Sequence, residues 1–388
     1  MSNVKGEIMV TAFRLRNVGP LASMTMAALL GAGTAFATEP DSVIQQSVKR
    51  TPAPPWAAGD ERGMANGIGP GTWQRCAWHM TQPGAKSYEL SHMRSNNMPK
   101  SPFGGAYAQK FTPTAGVSGS AHAFNMEQME AGSQPTQEGT QIDALGHFGS
   151  LKQPWDGKAP FPADGAVYYG GFTQKDVKPS DDSPLLKLGM EKAPPLITTA
   201  VLLDAKTLVG GGSAMKAGQL VTAKDIEAML KAQGLAKRGI LAGDVVYIRT
   251  GWGDHWKDPD TEKFYYTMAP GLSYDGAIYL GQKRVVAIGL DTPFVDSVPE
   301  GMLQGKAGPA AGTPPNLPFA VHHHMLTQMG IHHIENANLT ALAADRVWTS
   351  CAMILPLREH GSSGSAIRPV SIGAPAVPKS DAKPAAKK

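Results

Sequence analysis

Cysteine is nearly absent from these 388 residues: Cys76 and Cys351 are the only two. There is no Cys-x-x-Cys, so thiol redox motifs and cysteine-built zinc sites are excluded. An excess of one charge is missing too, with 36 Lys plus Arg against 32 Asp plus Glu. Lys5, Glu7, Arg14 and Arg16 lie in the first 37 residues, and four lysines with Asp381 lie in the tail from Ala374. Removing both ends leaves 29 basic and 30 acidic residues, a net of −1. A near-neutral body of this kind does not look like a nucleic-acid binder, whose electrostatic footprint is a basic face. No apolar run reaches the ~20 residues of a membrane span, and no internal repeat stands out. A chain that is 42% hydrophobic and 18% charged is neither disordered nor a coiled coil. It is long enough to bury a sizeable core without metal or disulfide staples.

The N-terminus carries an export pattern. Lys5, Arg14 and Arg16 precede an uncharged stretch whose apolar centre is Leu21–Leu30, and Ala35-Phe36-Ala37 supplies a small-x-small cleavage site. Residues 1–37 are predicted to be a signal peptide, with Thr38 the first mature residue and the periplasm the destination. The competing reading, a membrane anchor, is opposed by the short apolar run and by Gly31 and Gly33. No stable membrane span remains after processing. Export places Cys76 and Cys351 in an oxidising compartment, where a disulfide and two buried thiols are both open outcomes.

Residues 38–70, rich in Pro and Gly, read as an N-terminal extension wrapping the surface. Residues 71–373 form the principal domain, and 374–388 a disordered Lys/Pro/Ala tail. Between the ends, short β-type runs alternate with helical ones. Strands are predicted at 167–172, 197–204, 244–249, 285–290, 331–335, 352–357 and 367–372. A helix begins after Thr222, an N-cap with Asp225 in the first turn, and stops at Gly234. Further helices are predicted at 273–282, within 316–328, and at 339–345. The order is α/β. The 44 glycines and 31 prolines favour long loops, at 152–165, 176–196 and 300–318.

Chemistry-bearing residues gather in two places. The first is Gln137-Glu-Gly-Thr-Gln141-Ile-Asp143-Ala-Leu-Gly-His147. Gln141 and Asp143 share a face on an extended segment, and a carboxylate, an imidazole and two amides so close suit a metal or acid/base site. A polar turn with one buried histidine is the plainer alternative. The second is His322-His323-His324 with His332, His333 and Glu335. On a strand, His333 and Glu335 share a face and His332 opposes them. Imidazole and carboxylate suit zinc or another divalent first-row ion; a surface histidine tract is the alternative.

The ordered set of motifs resembles the cyclase family of metal-dependent hydrolases, which includes kynurenine formamidase and isatin hydrolase. The matching pieces are Tyr88–His92 with Asn97-Met-Pro99, then Gly139–His147, Val201–Asp204, Gly243–Trp252, Pro270–Ser273, Gly289–Pro293, Val321-His322 through Glu335-Asn336, and Gly364–Pro369. The resemblance implies a swivelling β/α/β domain, often oligomeric, so a homo-oligomer is expected. It implies metal ligands at Gln137, Gln141, Asp143, His322 and Glu335, a proton-transfer role for His147, and His324 near the same pocket. Trp252 and His255 are candidate pocket walls. Two histidines of the family pattern are matched here by Gln137 and Gln141. A neutral amide oxygen is a poorer zinc ligand than imidazole and shifts preference toward manganese. One divalent ion, Mn or Zn, is therefore expected, activating water against a small cyclic amide, N-formyl or lactone substrate. Two alternatives follow from the same residues: a metal-poor relative that binds a small ligand without turnover, and a metal-dependent lyase or dehydratase.

Overall fold

The computed structural model describes residues 38–103, 107–130, 135–158, 161 and 165–376. The predicted signal peptide and the tail beyond residue 376 lie outside them. A nine-stranded mixed sheet organises the chain. Its strands, in chain order, are β1 (Lys86–Glu89), β2 (Gln141–Asp143), β3 (Leu196–Leu203), β4 (Val245–Ile248), β5 (Ala287–Leu290), β6 (His332–Glu335), β7 (Thr349–Ile354), β8 (Gly364–Ala366) and β9 (Val370–Gly373). Their spatial order is β1-β9-β7-β3-β4-β5-β6-β2-β8. The central β3, β4, β5 and β6 run parallel. The strands flanking them pair antiparallel.

The parallel centre follows from composition. Val245-Val-Tyr-Ile248 and Ala287-Ile-Gly-Leu290 are buried at every position, as strands covered on both faces must be. The predicted α/β alternation is what the chain adopts. Helix α3 (Ala223–Ala232) begins at Thr222, whose side chain accepts from the Asp225 amide, and buries Ile226, Met229 and Leu230. Helix α4 (Tyr274–Gln282) is capped by Ser273 in the same way.

Some predicted elements come out differently. The strand predicted at 167–172 shrinks to Ala166–Val167 followed by a 3-10 turn, because Gly170 and Gly171 both take positive φ. The helix predicted within 316–328 begins only at Ala320 and becomes a π-helix over His323–Met329. Gly330, at φ 65°, ends it, and a Cβ there would meet the Tyr169 ring at 2.5 Å.

The predicted surface wrap over 38–70 contains helix α1 (Asp41–Arg50), packed on α2 (Pro70–Met80). The two cross closely enough that a Cβ at Gly71 would meet the Ser47 carbonyl oxygen at 2.5 Å. Cys76 on α2 is disulfide-bonded to Cys351 on β7 with a Cα–Cα distance of 4.3 Å, closing the alternative left open by the sequence. Between β1 and β2, Ala108–Phe111 pairs with Glu127–Glu130, and Ala115–Gly116 with Ala123–Phe124. This ribbon exposes Phe111, Val117, Phe124, Met126 and Met129. Among the described residues no helix is long and apolar enough to cross a membrane.

Candidate metal centre

The strand β2 lies between β6 and β8, with Gln141 paired to Glu335 and Asp143 to Gly364. This brings both sequence clusters together. Asp143, His147 and His322 offer ligand atoms within 4.8 Å of one another. His322 Nε2 lies 3.6 Å from Asp143 Oδ2 and 3.4 Å from Glu335 Oε1. Bonds of ~2.1 Å to one ion keep its ligand atoms within about 4.2 Å of each other, so these two spacings suit a common ion. Gln141 Nε2 donates to Glu335 Oε2 at 2.9 Å.

The hydrogen-bond inventory favours a cation. Both carboxylate oxygens of Asp143 and the Oε1 of Gln141 are buried without a hydrogen-bond partner among the described residues. Orphaned buried acceptors of this kind are costly unless a cation or donor meets them. Among the described residues, no Lys or Arg lines the adjoining cavity. Burial raises the Glu335 pKa, and the Asp143 charge raises it further, while His322 opposes. Burial alone would lower the His322 pKa, but the surrounding carboxylates of Asp143, Asp296 and Glu335 hold it well above the usual imidazole range. A divalent ion would supply the positive charge that these buried carboxylates lack. The donor set of Asp143, His322, Glu335 and Gln141 therefore fits such an ion.

His322 is oriented by Asp296, a residue sequence reasoning did not single out. Asp296 Oδ2 lies 2.6 Å from His322 Nδ1, and the carboxylate also accepts the backbone amides of Val321 and His322 at 2.7 and 3.1 Å. One carboxylate thus caps the short Ala320–His322 helix and fixes the ring so that Nε2 faces the ligands. His333 and Glu335 face the site from β6, with His333 Nδ1 3.9 Å from Asp143 Oδ2. His332 points the other way and donates from Nδ1 to the Asp143 carbonyl at 2.8 Å.

Four of the expected site residues lie in other surroundings. Gln137 meets His147 rather than the carboxylates, with its Nε2 3.2 Å from His147 Nδ1. His324 is turned away by the π-helix, onto Gln328 Oε1 at 2.7 Å and the edge of Tyr274. Trp252 packs with Tyr265, Tyr266 and Ala269 and donates Nε1 to the Tyr265 carbonyl at 3.1 Å. His255 pairs with Glu262 at 2.9 Å on the outside of that cluster. Neither Trp252, His255 nor His324 lines the cavity.

The cavity beside the carboxylates has a volume of about 240 Å³. His147, His322, Gln141 and Glu335 form its polar end, and Phe148, Phe294, Phe319 and Tyr266 supply aromatic walls. Burial lowers the His147 pKa, with Asp143 opposing and His322 adding to the shift, so the ring is a neutral imidazole able to accept a proton. Burial pushes the Tyr266 phenol well up, keeping it protonated. The walls come from four separate loops with no shared spacing, which is why no sequence pattern marked them.

The family described as "Putative cyclase" matches residues 88–297, more than half of the 388. The chain belongs to the cyclase family. A solved structure described as a novel cyclase is similar at TM-score 0.65 and 23% identity, covering 81% of this chain and 95% of the other. Isatin hydrolase A from Ralstonia solanacearum is similar at TM-score 0.51 and 19% identity, covering 74% and 92%. A search of curated proteins finds no match. At these identities the likeness speaks for the cyclase fold, and the chemistry rests on the site.

Proposed function

We propose that this cyclase-family chain is a metal-dependent hydrolase of a small, neutral carbonyl compound, a cyclic amide, N-formyl compound or lactone. The observation that carries this reading is the convergence of Asp143, His322, Glu335 and Gln141, three of their oxygens unpartnered, beside the neutral imidazole of His147. The similar structure named an isatin hydrolase, whose name carries a cyclic amide, supports the substrate class. Among the described residues the cavity is lined by no Lys or Arg, which favours an uncharged substrate. Asp143, His322 and Glu335 would hold the ion, with the Gln141 amide oxygen beside them; the oxygen-rich set favours manganese over zinc. Such an ion supplies Lewis-acid polarisation of a carbonyl and makes water nucleophilic near neutral pH. His147 takes up a proton at Nε2 and returns it to the leaving nitrogen or oxygen, an arrangement in which Gln137, beside Nδ1, turns its amide oxygen to accept from Nδ1–H. Phe148, Phe294 and Phe319 grip the apolar flank of the substrate and exclude water.

The proposal extends to export: the Cys76–Cys351 disulfide suits an oxidising compartment. It extends to self-association, which the exposed apolar ribbon around Phe111 and Met129 favours.

One preparation tests these points. Untagged protein recovered from the periplasmic fraction should start at Thr38, hold about one divalent ion per chain, and run above monomer mass in solution. Elemental analysis should find Asp143→Ala and His322→Ala metal-free, and His147→Ala metal-loaded but without turnover. Metal retained by the first two variants would sink the ligand assignment. Metal lost from His147→Ala would make that histidine a ligand. A wild type that takes up no ion at all would favour ligand binding without turnover, with Gln137 and Gln141 having dismantled the site.

A further inference from the structure

The histidine cluster at 322–333 leaves one member without a visible structural task. Asp296 holds His322, Gln328 holds both His323 and His324, and the Asp143 carbonyl accepts from His332. His333 is 0% exposed, yet neither of its ring nitrogens has a hydrogen-bond partner among the described residues. A neutral imidazole carries one donor and one acceptor. Burying both unmet is costly.

The sheet aims this ring at the carboxylates. The antiparallel register of β6 with β2 sets Ile334 against Ile142 and Glu335 against Gln141. Continued by one residue, it brings His333 opposite Asp143, and side chains so placed share a face with Cβ atoms about 4.5–5.5 Å apart. The two side chains do approach. His333 Nδ1 lies 3.9 Å from Asp143 Oδ2, the same oxygen that is 3.6 Å from His322 Nε2. The His322 and His333 rings meet edge to face, with centroids 4.7 Å apart and planes at 89°. Two imidazole nitrogens therefore flank one carboxylate oxygen that has no hydrogen-bond partner among the described residues. Both separations stay within the about 4.2 Å open to ligands of one ion at ~2.1 Å. Burial, and after it the neighbouring imidazoles of His322, His147 and His332, lower the His333 pKa well below the usual range. The ring is neutral and keeps a lone pair to give.

We propose that His333 binds, through Nδ1, the same divalent ion as Asp143, His322 and Glu335. This rests on the metal-dependent reading above. Nδ1 gives its lone pair and the hydrogen stays on Nε2, so one of the two unmet nitrogens gains a partner. The character of the site changes with it. A second nitrogen donor brings an oxygen-rich set part of the way back toward zinc.

X-ray absorption at the zinc edge tests this on the untagged protein loaded with zinc alone, because scattering from imidazole rings counts the histidines on the ion. Wild type should show two imidazoles, His333→Leu one, and His147→Ala again two. Zinc affinity of His333→Leu, read by competition with a chelating dye, should fall by more than the about 10–100-fold expected of a residue that only orients a ligand. Manganese affinity should fall less, because that ion relies more on the oxygens. Metal-free His333→Leu should melt no earlier than metal-free wild type, since leucine removes two unmet polar atoms. Zinc should raise its melting temperature less than that of wild type. Should the leucine variant not fold, His333→Gln keeps a polar side chain and should give the same count of one imidazole. A single imidazole on the wild-type ion overturns the inference alone, as does a count of two that survives removal of His333. Failure of wild type to take up either zinc or manganese overturns the metal-dependent reading, and this inference with it.

Discussion

His322 meets Asp296 on one side of its ring and Asp143 with Glu335 on the other. An imidazole whose Nδ1–H is held by a carboxylate is a more basic ligand through Nε2, and its ring angle is fixed in advance. Asp296→Asn keeps the shape and removes the charge. Its metal affinity should fall about 10–100-fold, read by competition with a chelating dye. Unchanged affinity would reduce Asp296 to a helix cap. The two clusters were legible from residue type and spacing, and the meeting of Asp143, His147, His322 and Glu335 was implied by the family resemblance. Asp296 was not legible, since an acidic residue in a loop carries no periodicity. Nor was the exit of His324: its direction depends on the π-helix, whose hydrogen bonds span five residues where those of the α-helix span four, and composition does not announce that widening.

At the scale of elements, strand and helix positions with strong pattern were readable, and those without it were not. Thr222 and Ser273 each mark a helix start, and the chain obeys both. Helix α1 escaped notice because only Ser47 is fully buried on it, so no apolar stripe exists to read. Strands β2 and β8 are three residues each, too short for alternation to show. Helix α2 is bound to the sheet covalently through Cys76 and Cys351, which stand 275 residues apart in sequence. A cross-link over so long a loop strongly restricts the unfolded chain, with a typical stabilisation of about 2–4 kcal/mol. Cys76→Ser and Cys351→Ser should each lower unfolding free energy by about that amount in a denaturant titration. The double variant should lose little more than either single one. A single variant as stable as the wild type would rule the bond out as a stabilising link.

The whole molecule is closed by a buried ionic cluster at its N-terminal edge. Glu39 accepts from Arg238 at 2.8 and 3.0 Å, and Arg238 also pairs with Asp244. Arg75 reaches Asp244 at 3.2 Å, Ser47 at 2.8 Å and Thr199 at 3.0 Å. Two cations and two carboxylates thus tie the start of the domain, α2, the loop after α3 and the entry to β4 into one network. Burial works against ionising Glu39, but Arg238 and His79 outweigh it and hold the carboxyl well below its usual 4.5. A depressed carboxylate stabilises the fold at pH above its unfolded value and loses that contribution as pH falls through its folded value. Glu39→Gln should therefore cost about 3–5 kcal/mol at neutral pH, as one partner removed from a buried pair does. The deficit should begin to shrink below pH 4.5 and vanish further into acid. A deficit independent of pH would mean that shape, not charge, holds Glu39. The sequence could not disclose this network, because its members are spread from residue 39 to residue 244 and each looks like ordinary surface charge.

The position of β2 has a consequence in time. The strand that carries Gln141 and Asp143 finds its sheet partners only in β6 and β8, and Glu335 is synthesised 194 residues after Gln141. At about 5–20 residues per second, the growing chain waits about 10–40 s between making the first ligands and making the strand that receives them. During that interval Asp143 has neither neighbouring strand, and no nascent chain ending before β6 contains the ligand set. Metal capture is therefore an event of the nearly finished polypeptide, and a ribosome stalled short of residue 335 should release a product with no use for the ion.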